Sequence, residues 1–570
     1  MSKKVAQVIV EVLESAGVKH CYGIVGDTLN KFAESLSHSE IKWVHMRHEE
    51  AGAFAAQGEA ILTERLTAVA GSCGPGSLHF LNGLYEANRN RAPVILIASQ
   101  VVRSELGFDF IQEVDFKQVY AGCSVYCDMI LTPEQARRKT VIACQSALAK
   151  SGVAVLIVPV DIAESDAVEE PPYSVHARRP VTRPSDADLD EMARILQEGD
   201  NVAIYAGNGC RHAHDQIIEL AERLKAPVAH TSRGKDAVEY DNPHNVGMTG
   251  IGGIESGYQC LLNCDTLLCL GVDFAWRQFY PDHATIVQVD IEPSHLGRRH
   301  PVTLGVRGDI KDTLQALLPR IEQKTDATFR DTYVTRHAKA LENWAAKAQP
   351  GHQDKIPGTY LTRIIDRLAA DDALFTSDDG TPTVWLHRYV RTNGKRKIFA
   401  SLLHGTMGAA VATALGLQRC QPGRQVIALS GDGGFTMMMG DVLTAIQEDL
   451  PVKIAVYDNA KLGFVEIEQK TEGILPVYTD MKNPDFGKVA EAMGLWGRTI
   501  SKASDLEEGV DAWLSQPGPA LLNVKVEPME LIVPPFTSFK PAYGMAMYSV
   551  KAILHGKTGE LYEMVSENFL

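Results

Sequence analysis

The stretch Val426-Ile427-Ala428-Leu429-Ser430-Gly431-Asp432-Gly433-Gly434-Phe435-Thr436-Met437 decides how this chain is read. An apolar run of strand length passes directly into glycines, and a helix-period segment follows. Glycines at such a junction let backbone N–H groups approach a phosphate closely, while the helix after them turns its positive end towards it. Asp432 would repel that phosphate, so its place among the glycines calls for a divalent cation between the two. Mg²⁺ suits this arrangement, because it prefers few carboxylates together with phosphate oxygens and water. A second apolar run, Val452 to Tyr457, ends in Asp458-Asn459-Ala460-Lys461-Leu462-Gly463. The separation of Asp432 and Asn459 fits one strand–helix–strand excursion, which returns the chain beside its start at the carboxyl edge of a parallel sheet. Two oxygen ligands then meet at one ion.

Outward from this pair, short β-branched runs alternate with longer helix-period segments, the pattern of buried parallel strands with crossover helices. One block holds Leu66 to Ala70, Val94 to Ala98 and Val153 to Val158, and ends in the Pro- and Glu-rich linker candidate Glu169 to Pro172. A second holds Val202 to Tyr205, Thr266 to Leu270 and Thr285 to Asp290, and closes with the polar segment Thr325 to Pro357. The third adds Leu374 to Ser377 and Ala520 to Val526 to the two runs above. The expected fold class is α/β: three domains, each with a mainly parallel sheet flanked by helices, at residues 1–180, 181–340 and 341–530. A short C-terminal tail, 531–570, is too small to form a domain of its own.

The chain has 570 residues and a formal charge of −15, from 56 Lys and Arg against 71 Asp and Glu. That field repels nucleic acid and anionic lipid, so no polynucleotide partner is expected. No secretory apolar region follows Met1 and no run of membrane-span length occurs, which makes cytoplasmic the expected location. The cysteine spacings, Cys123 with Cys127 and Cys260 with Cys264 and Cys269, fit no C-x-x-C pair, so reduced thiols on a buried helix face are expected.

Gly431-Asp432-Gly433 followed by Asn459 resembles the thiamine-diphosphate motif. The resemblance covers essentially the whole chain and points to the pyruvate oxidase family, especially its pyruvate:quinone oxidoreductase members. It implies that Asp432, Asn459 and the carbonyl of Lys461 hold Mg²⁺, and that Gly431, Gly433, Gly434 and Gly463 border the diphosphate. Asp458 stands where that family commonly has a second asparagine. Met407, in His404-Gly405-Thr406-Met407-Gly408, falls where a bulky apolar side chain bends the cofactor, with Gly405 and Thr406 beside it. In Arg47-His48-Glu49-Glu50-Ala51, Glu50 matches the glutamate that hydrogen-bonds N1′ of the aminopyrimidine, whereas Glu49 reads as a first-turn acid favoured by the helix dipole. Gly26 and Gly74 match loops over the pyrimidine. The first and third domains are therefore the expected pyrimidine-binding and diphosphate-binding domains.

For the central domain the resemblance implies FAD, held by segments containing Arg233, Gly250, Asp273, Phe274, Asp290, Ile291 and Asp309. Gly207-Asn208-Gly209-Cys210 by itself is not a proper dinucleotide fingerprint, since its third glycine is missing. Gln112, Phe464 and Glu468 match substrate-pocket positions. The function implied is oxidative decarboxylation of a small 2-oxo acid, with electrons passing through FAD to a quinone. A carboligase resembling acetohydroxyacid synthase, with FAD retained for structure, is the rival reading. The family's cofactor halves come from different subunits, so a homo-oligomer, a dimer of dimers, is implied.

Two departures bear on substrate choice: Asp379 stands where the family has valine, and Ile111 where it has phenylalanine. Asp379 thus joins the candidate catalytic set, unless a local shift leaves it facing solvent and Ile111 filling the core. In the tail, Leu561, Met564, Val565 and Phe569 form an apolar set in a segment whose polar positions are Glu560, Glu563 and Glu567. A helix packed on the body is the preferred reading there. Peripheral contact at the inner face of the cell membrane is the alternative, although surface-seeking helices are usually basic.

Overall fold

The computed structural model describes residues 2–176, 181–250, 252–528, 530, 539–555, 561 and 564. Three six-stranded sheets follow one another along the chain, and every pairing is parallel. The first contains β1 (His20–Gly23), β2 (Lys42–His45), β3 (Thr67–Gly71), β4 (Val94–Gln100), β5 (Tyr126–Met129) and β6 (Val153–Pro159), in the order β2-β1-β3-β4-β6-β5. The middle sheet contains β7 (Val202–Ala206), β8 (Val228–His230), β9 (Asn245–Met248), β10 (Thr266–Leu270), β11 (Thr285–Asp290) and β12 (Leu304–Arg307), in the order β12-β11-β10-β7-β8-β9. The last contains β13 (Leu374–Ser377), β14 (Lys397–Ala400), β15 (Val426–Gly431), β16 (Lys453–Asp458), β17 (Trp496–Ile500) and β18 (Ala520–Lys525), in the order β14-β13-β15-β16-β18-β17. The three α/β domains expected from the sequence are thus present.

Central strands such as β4, β6, β7 and β10 are buried along their whole length, which is why they read as unbroken apolar runs. The polar segment 325–357 that closes the second block contains the 20-residue helix Thr328–Lys347. Few apolar side chains hold this helix: Phe329, Tyr333 and Val334 pack against Cys260, Leu261 and Cys264 of the middle domain. The cysteines depart from expectation. Cys127 lies on β5, Cys260 on the helix Glu255–Asn263 and Cys269 on β10, so they share no helix face. All ten are free thiols, buried or half-buried, and the described residues contain no group of three metal-ligating side chains.

One core joins the first and third sheets. The helices Glu49–Thr63 and Ala409–Cys420 cross where glycine removes the side chain from each: a Cβ on Gly416 would lie 2.0 Å from the Ala55 carbonyl oxygen, and one on Gly58 2.8 Å from Thr413 Cγ2. This backbone contact brings the carboxyl edges of the two outer sheets together. Beyond the third sheet, the helix Phe539–Leu554 lies on the helix Gly463–Thr471, and its Tyr548 and Ala552 pack with Leu561 and Met564. The remaining named tail positions, Glu560, Glu563, Val565, Glu567 and Phe569, lie outside the described residues. No helix among the described residues is long and apolar enough to cross a membrane.

Candidate active site

Asp432 opens the short helix Asp432–Met437 at the end of β15, and Asn459 follows the end of the neighbouring β16. The Asp432 carboxylate is buried. It accepts from the Gly433 amide (2.9 Å) and from Asn483 Nδ2 (2.7 Å), and forms no ion pair among the described residues. Burial, with the charge of Asp458 nearby, pushes its pKa up to about 6. A cation would complete this carboxylate, and Asn459, just past the end of the neighbouring strand, offers as a second hard donor an amide oxygen that accepts from Lys461 N (3.0 Å). Glycine is required around the pair. A Cβ on Gly463 would lie 2.7 Å from Asn459 Nδ2, one on Gly433 would lie 3.0 Å from both Leu462 Cδ2 and Met407 Cε, and one on Gly434 would lie 2.3 Å from Asp378 Oδ2. Gly431 has more room.

The loop after Asn459 is strapped by the segment 479–483, with Leu462 N donating to Thr479 O and Met481 N to Ala460 O. Lys461 turns its ammonium away, to Glu466 (2.8 Å) and Asp480 (3.3 Å), which leaves its backbone as the part that can ligate. Asp458 itself is paired with Lys525 and accepts from Asn483 Nδ2 (3.0 Å). Asn483, which bridges Asp432 and Asp458, was not foreseen, and no spacing in the sequence marks it.

Met407 sits between two glycines of left-handed backbone, Gly405 (φ 73°) and Gly408 (φ 82°). The register of this loop is set by Asp378, whose buried carboxylate accepts from Ala410 N (2.8 Å) and from the Ser430 hydroxyl. Facing it from the first domain is Glu50, in the first turn of the helix Glu49–Thr63. Asn82 Nδ2 donates to Glu50 Oε1 (2.6 Å) and approaches Thr406 Oγ1 (3.3 Å), so the two halves meet within one chain, a departure from the resemblance, which implies halves from different subunits. Glu49, also in the first turn, is buried and pairs with His79 Nδ1 (2.9 Å), in keeping with its structural reading.

Around this cleft, Asp379 N lies 3.4 Å from Thr406 O, and Asp379 Oδ2 stands 3.3 Å from where a Gly405 Cβ would be. Asp379 is exposed but beside the Met407 loop, and the desolvation imposed by its neighbours raises its carboxyl pKa from the ordinary value. Glu468 is raised too, by partial burial and by the charges of Asp379 and Glu472. Phe464 is half-buried one turn before it on the same helix. Gln112 lies over Gly74 (φ 64°), 2.7 Å from that glycine's Cβ position, and accepts from Cys73 Sγ (3.3 Å). Gly26 abuts Ser72. Ile111 does not fill the core: it is 79% exposed, on a loop that also exposes Phe108 and Phe110.

In the middle sheet the strand order reverses between β7 and β10, the place where an open α/β sheet accepts a dinucleotide. The turns leaving these strands touch: a Cβ on Gly207 would lie 2.2 Å from Gly271 O, and one on Gly271 (φ 57°) 2.5 Å from Gly209 Cα. The incomplete glycine fingerprint therefore stands at a real switch point. Arg233 forms no hydrogen bond or ion pair among the described residues, and burial together with Arg211 and Arg91 lowers its pKa to about 9. An anion would complete it.

A Cβ on Gly250 (φ 118°) would lie 3.0 Å from the Phe274 ring. The acids here are already engaged. Asp273 accepts from Arg299 Nε (2.8 Å) and from Arg298, which outweigh its burial and hold its pKa low. Asp290 accepts from Glu292 N (2.9 Å), and Asp309 caps the helix Ile310–Leu317 through Lys311 N (3.1 Å). The carbonyl of Ile291 accepts from Arg307 Nε (3.3 Å).

Comparison with known proteins agrees with this geometry domain by domain. Residues 3–119 match the thiamine pyrophosphate enzyme N-terminal TPP binding domain, 189–317 the central domain, and 378–524 the C-terminal TPP binding domain. Over 569 residues, 98% of either chain, the sequence is 32% identical to the putative thiamine pyrophosphate-containing protein YdaP of Bacillus subtilis. It is 27% identical over 512 residues to the pyruvate oxidase of Lactiplantibacillus plantarum (88% of this chain, 84% of the relative). It is 28% identical over 550 residues to the acetolactate synthase isozyme 2 large subunit of Escherichia coli (93% and 96%). With a carboxylate–amide pair at one sheet edge, a glutamate facing it from another and relatives matched end to end, the chain belongs to the thiamine-pyrophosphate-dependent enzymes of the pyruvate oxidase and acetolactate synthase family.

Proposed function

We propose that this enzyme oxidatively decarboxylates a small 2-oxo acid, with Mg²⁺ and FAD as further cofactors and a quinone as electron acceptor. The observation that carries the reading is the convergence of Glu50, the Met407 loop and the buried, cation-lacking Asp432 on one cleft. When bound, thiamine diphosphate supplies the electron sink for loss of CO₂, and FAD a two-electron acceptor.

The protein's part is to hold and orient. Asp432, Asn459 and the Lys461 carbonyl bind the cation against the diphosphate. Met407, fixed between its two glycines, would support the cofactor as an apolar wedge, and Glu50 would accept a hydrogen bond from its aminopyrimidine. Gln112, Phe464 and Glu468 border the substrate. Arg233, at the switch point of the middle sheet, pairs with an FAD phosphate. The working unit is a homo-oligomer, a dimer of dimers, as its family resemblance implies.

The rival reading is a carboligase in which FAD does not turn over, favoured by the acetolactate synthase likeness across 93% of the chain. A panel of 2-oxo acids, run anaerobically and then with a quinone analogue, separates the two. The oxidative reading expects CO₂ release with bleaching of the flavin, and turnover when the quinone is added. CO₂ release with an unbleached flavin and a carboligated product would overturn it.

A further inference from the structure

The helix Leu81–Arg89 faces the Met407 loop with residues at i, i+3, i+4 and i+7, a single helical stripe. Along it, Asn82 contacts Thr406 and His404, the Tyr85 ring stacks on His404 (6.0 Å, 7°), Glu86 accepts from the Ser401 hydroxyl (2.8 Å), and Arg89 donates to the Leu403 carbonyl (3.0 Å). Next to Asn82, Gly83 leaves no room for a side chain. Its Cβ would lie 2.5 Å from Ala53 Cβ and 2.9 Å from the Glu50 carbonyl oxygen, so the stripe helix is pressed against the first turn of the Glu50 helix.

The orientation of the Asn82 amide follows from its partners. His404 Nε2–H donates to Asn82 Oδ1 (2.8 Å), which turns Nδ2 towards Glu50 Oε1 (2.6 Å). No other hydrogen bond reaches the Glu50 carboxylate among the described residues. His404 suits the donor role as a neutral imidazole, and burial with the charge of Arg89 holds its pKa below the ordinary histidine value against the pull of Glu50.

Resting on the function proposed above, we infer that Asn82, fixed by His404, is the positioning residue of Glu50: its amide holds Oε1 and leaves the second carboxylate oxygen for the aminopyrimidine. The stripe ties this carboxylate to the loop of the same chain that leads into Met407.

Asn82→Asp tests this, because it keeps the shape but replaces the donor with an acceptor beside a carboxylate. In the holoenzyme, kcat falls by about a hundredfold while KM for the 2-oxo acid stays within about threefold, as expected for a misplaced catalytic group. The acid limb of the pH–rate profile moves up, because two adjacent carboxylates share a proton. Asn82→Ala, which removes the donor without adding charge, falls less, and the dissociation constant for thiamine diphosphate with Mg²⁺ changes less than about threefold in either variant. In the cofactor-free protein, the His404 imidazole resonance shifts in Asn82→Ala, a readout independent of turnover. A wild-type enzyme that turns over beside an Asn82→Asp variant with the same kcat and an unmoved pH profile would overturn the role alone. No CO₂ from the wild-type holoenzyme on the 2-oxo acid panel would overturn the functional reading and this role with it.

Discussion

The first and third domains are built on one plan and, under the proposed function, do different chemistry. Their sheets share one strand order, and in both the loop after the second strand leads into the helix that meets its counterpart across the domain boundary. In the first domain that loop delivers Glu50; in the third it delivers Met407. The loops after β3 and β15 diverge in the same way. Cys73-Gly74-Pro75-Gly76 offers backbone and no acid, whereas Gly431-Asp432-Gly433-Gly434 places a buried carboxylate next to Asn459. Topology fixes where a ligand is received, and a few side chains decide which part of it is received there.

Removing the acid from the third domain should erase the difference most completely. Asp432→Ala is expected to lose Mg²⁺-dependent retention of thiamine diphosphate and, with it, on the order of 10³-fold in turnover at limiting cofactor, since first-contact metal ligands outweigh the 10- to 100-fold of their outer partners. Equilibrium dialysis with and without Mg²⁺ checks this. A change that leaves both edges intact but keeps them apart comes next. Gly416→Val drives a side chain into the Ala55 carbonyl, and should cost about 3 kcal/mol, the upper end for overpacking. Chemical denaturation measures the loss, and a cost near zero would show that the two helices do not touch as described.

Smaller effects sharpen the picture of what the shared cleft accepts. Asp379 stands beside the Met407 loop and near Glu468, an acidic pair unwelcoming to a substrate carboxylate. Asp379→Val should therefore raise kcat/KM for pyruvate by roughly tenfold and lower it for a substrate bearing a hydroxyl or cationic group. A ratio that does not move would remove Asp379 from substrate choice.

The smallest effect concerns the joint between the middle and third domains, where His230 and His387 are buried and His337 is half-buried. Burial lowers their pKa, to about 3 for His230 and about 4 for the other two, with Lys235 adding to each. In the unfolded chain the same groups titrate near 6.5. The unfolded state thus binds more protons between these values, and the contribution to stability, complete above about pH 6.5, is lost as pH falls towards 4. His387→Gln should reduce the loss of unfolding free energy between pH 7.5 and 5, read from denaturation at each pH, by an amount on the order of 1 kcal/mol. An unchanged slope would show that this imidazole already carries its proton.

Much of the fold was legible because its central strands are buried on both faces, so β4, β6, β10, β15 and β16 stand out as continuous apolar runs. The edge strands were not. β5 reads Tyr-Cys-Asp-Met and β17 reads Trp-Gly-Arg-Thr-Ile, half-buried segments whose polarity resembles that of a loop. The helix Thr328–Lys347 was hidden for a related reason: a handful of apolar side chains suffices to dock it, and the rest of its surface is polar.

At the site, Asp432 and Asn459 stood in stretches whose glycines and spacing mark them, whereas Glu50 and Met407 were placed by the family resemblance. Asn82, His404 and Asn483 act by hydrogen bonds that exist only once distant segments meet, and an asparagine or histidine in a loop or amphipathic helix carries no local mark of that. The alternative that Ile111 fills the core fails for the same cause, since its exposure depends on the path of a loop that the alternation of apolar and polar residues does not specify.

The most direct test of the division of labour between the two edges is Glu50→Gln, assayed for thiamine diphosphate binding and for CO₂ release from the 2-oxo acid panel. The first domain's edge is held to contribute catalysis and the third domain's edge retention of the cofactor. Glu50→Gln should therefore bind the cofactor with near wild-type affinity while kcat/KM falls on the order of 10²- to 10⁴-fold, the usual scale for losing a positioned proton-transfer group. Wild-type turnover in Glu50→Gln would contradict this division.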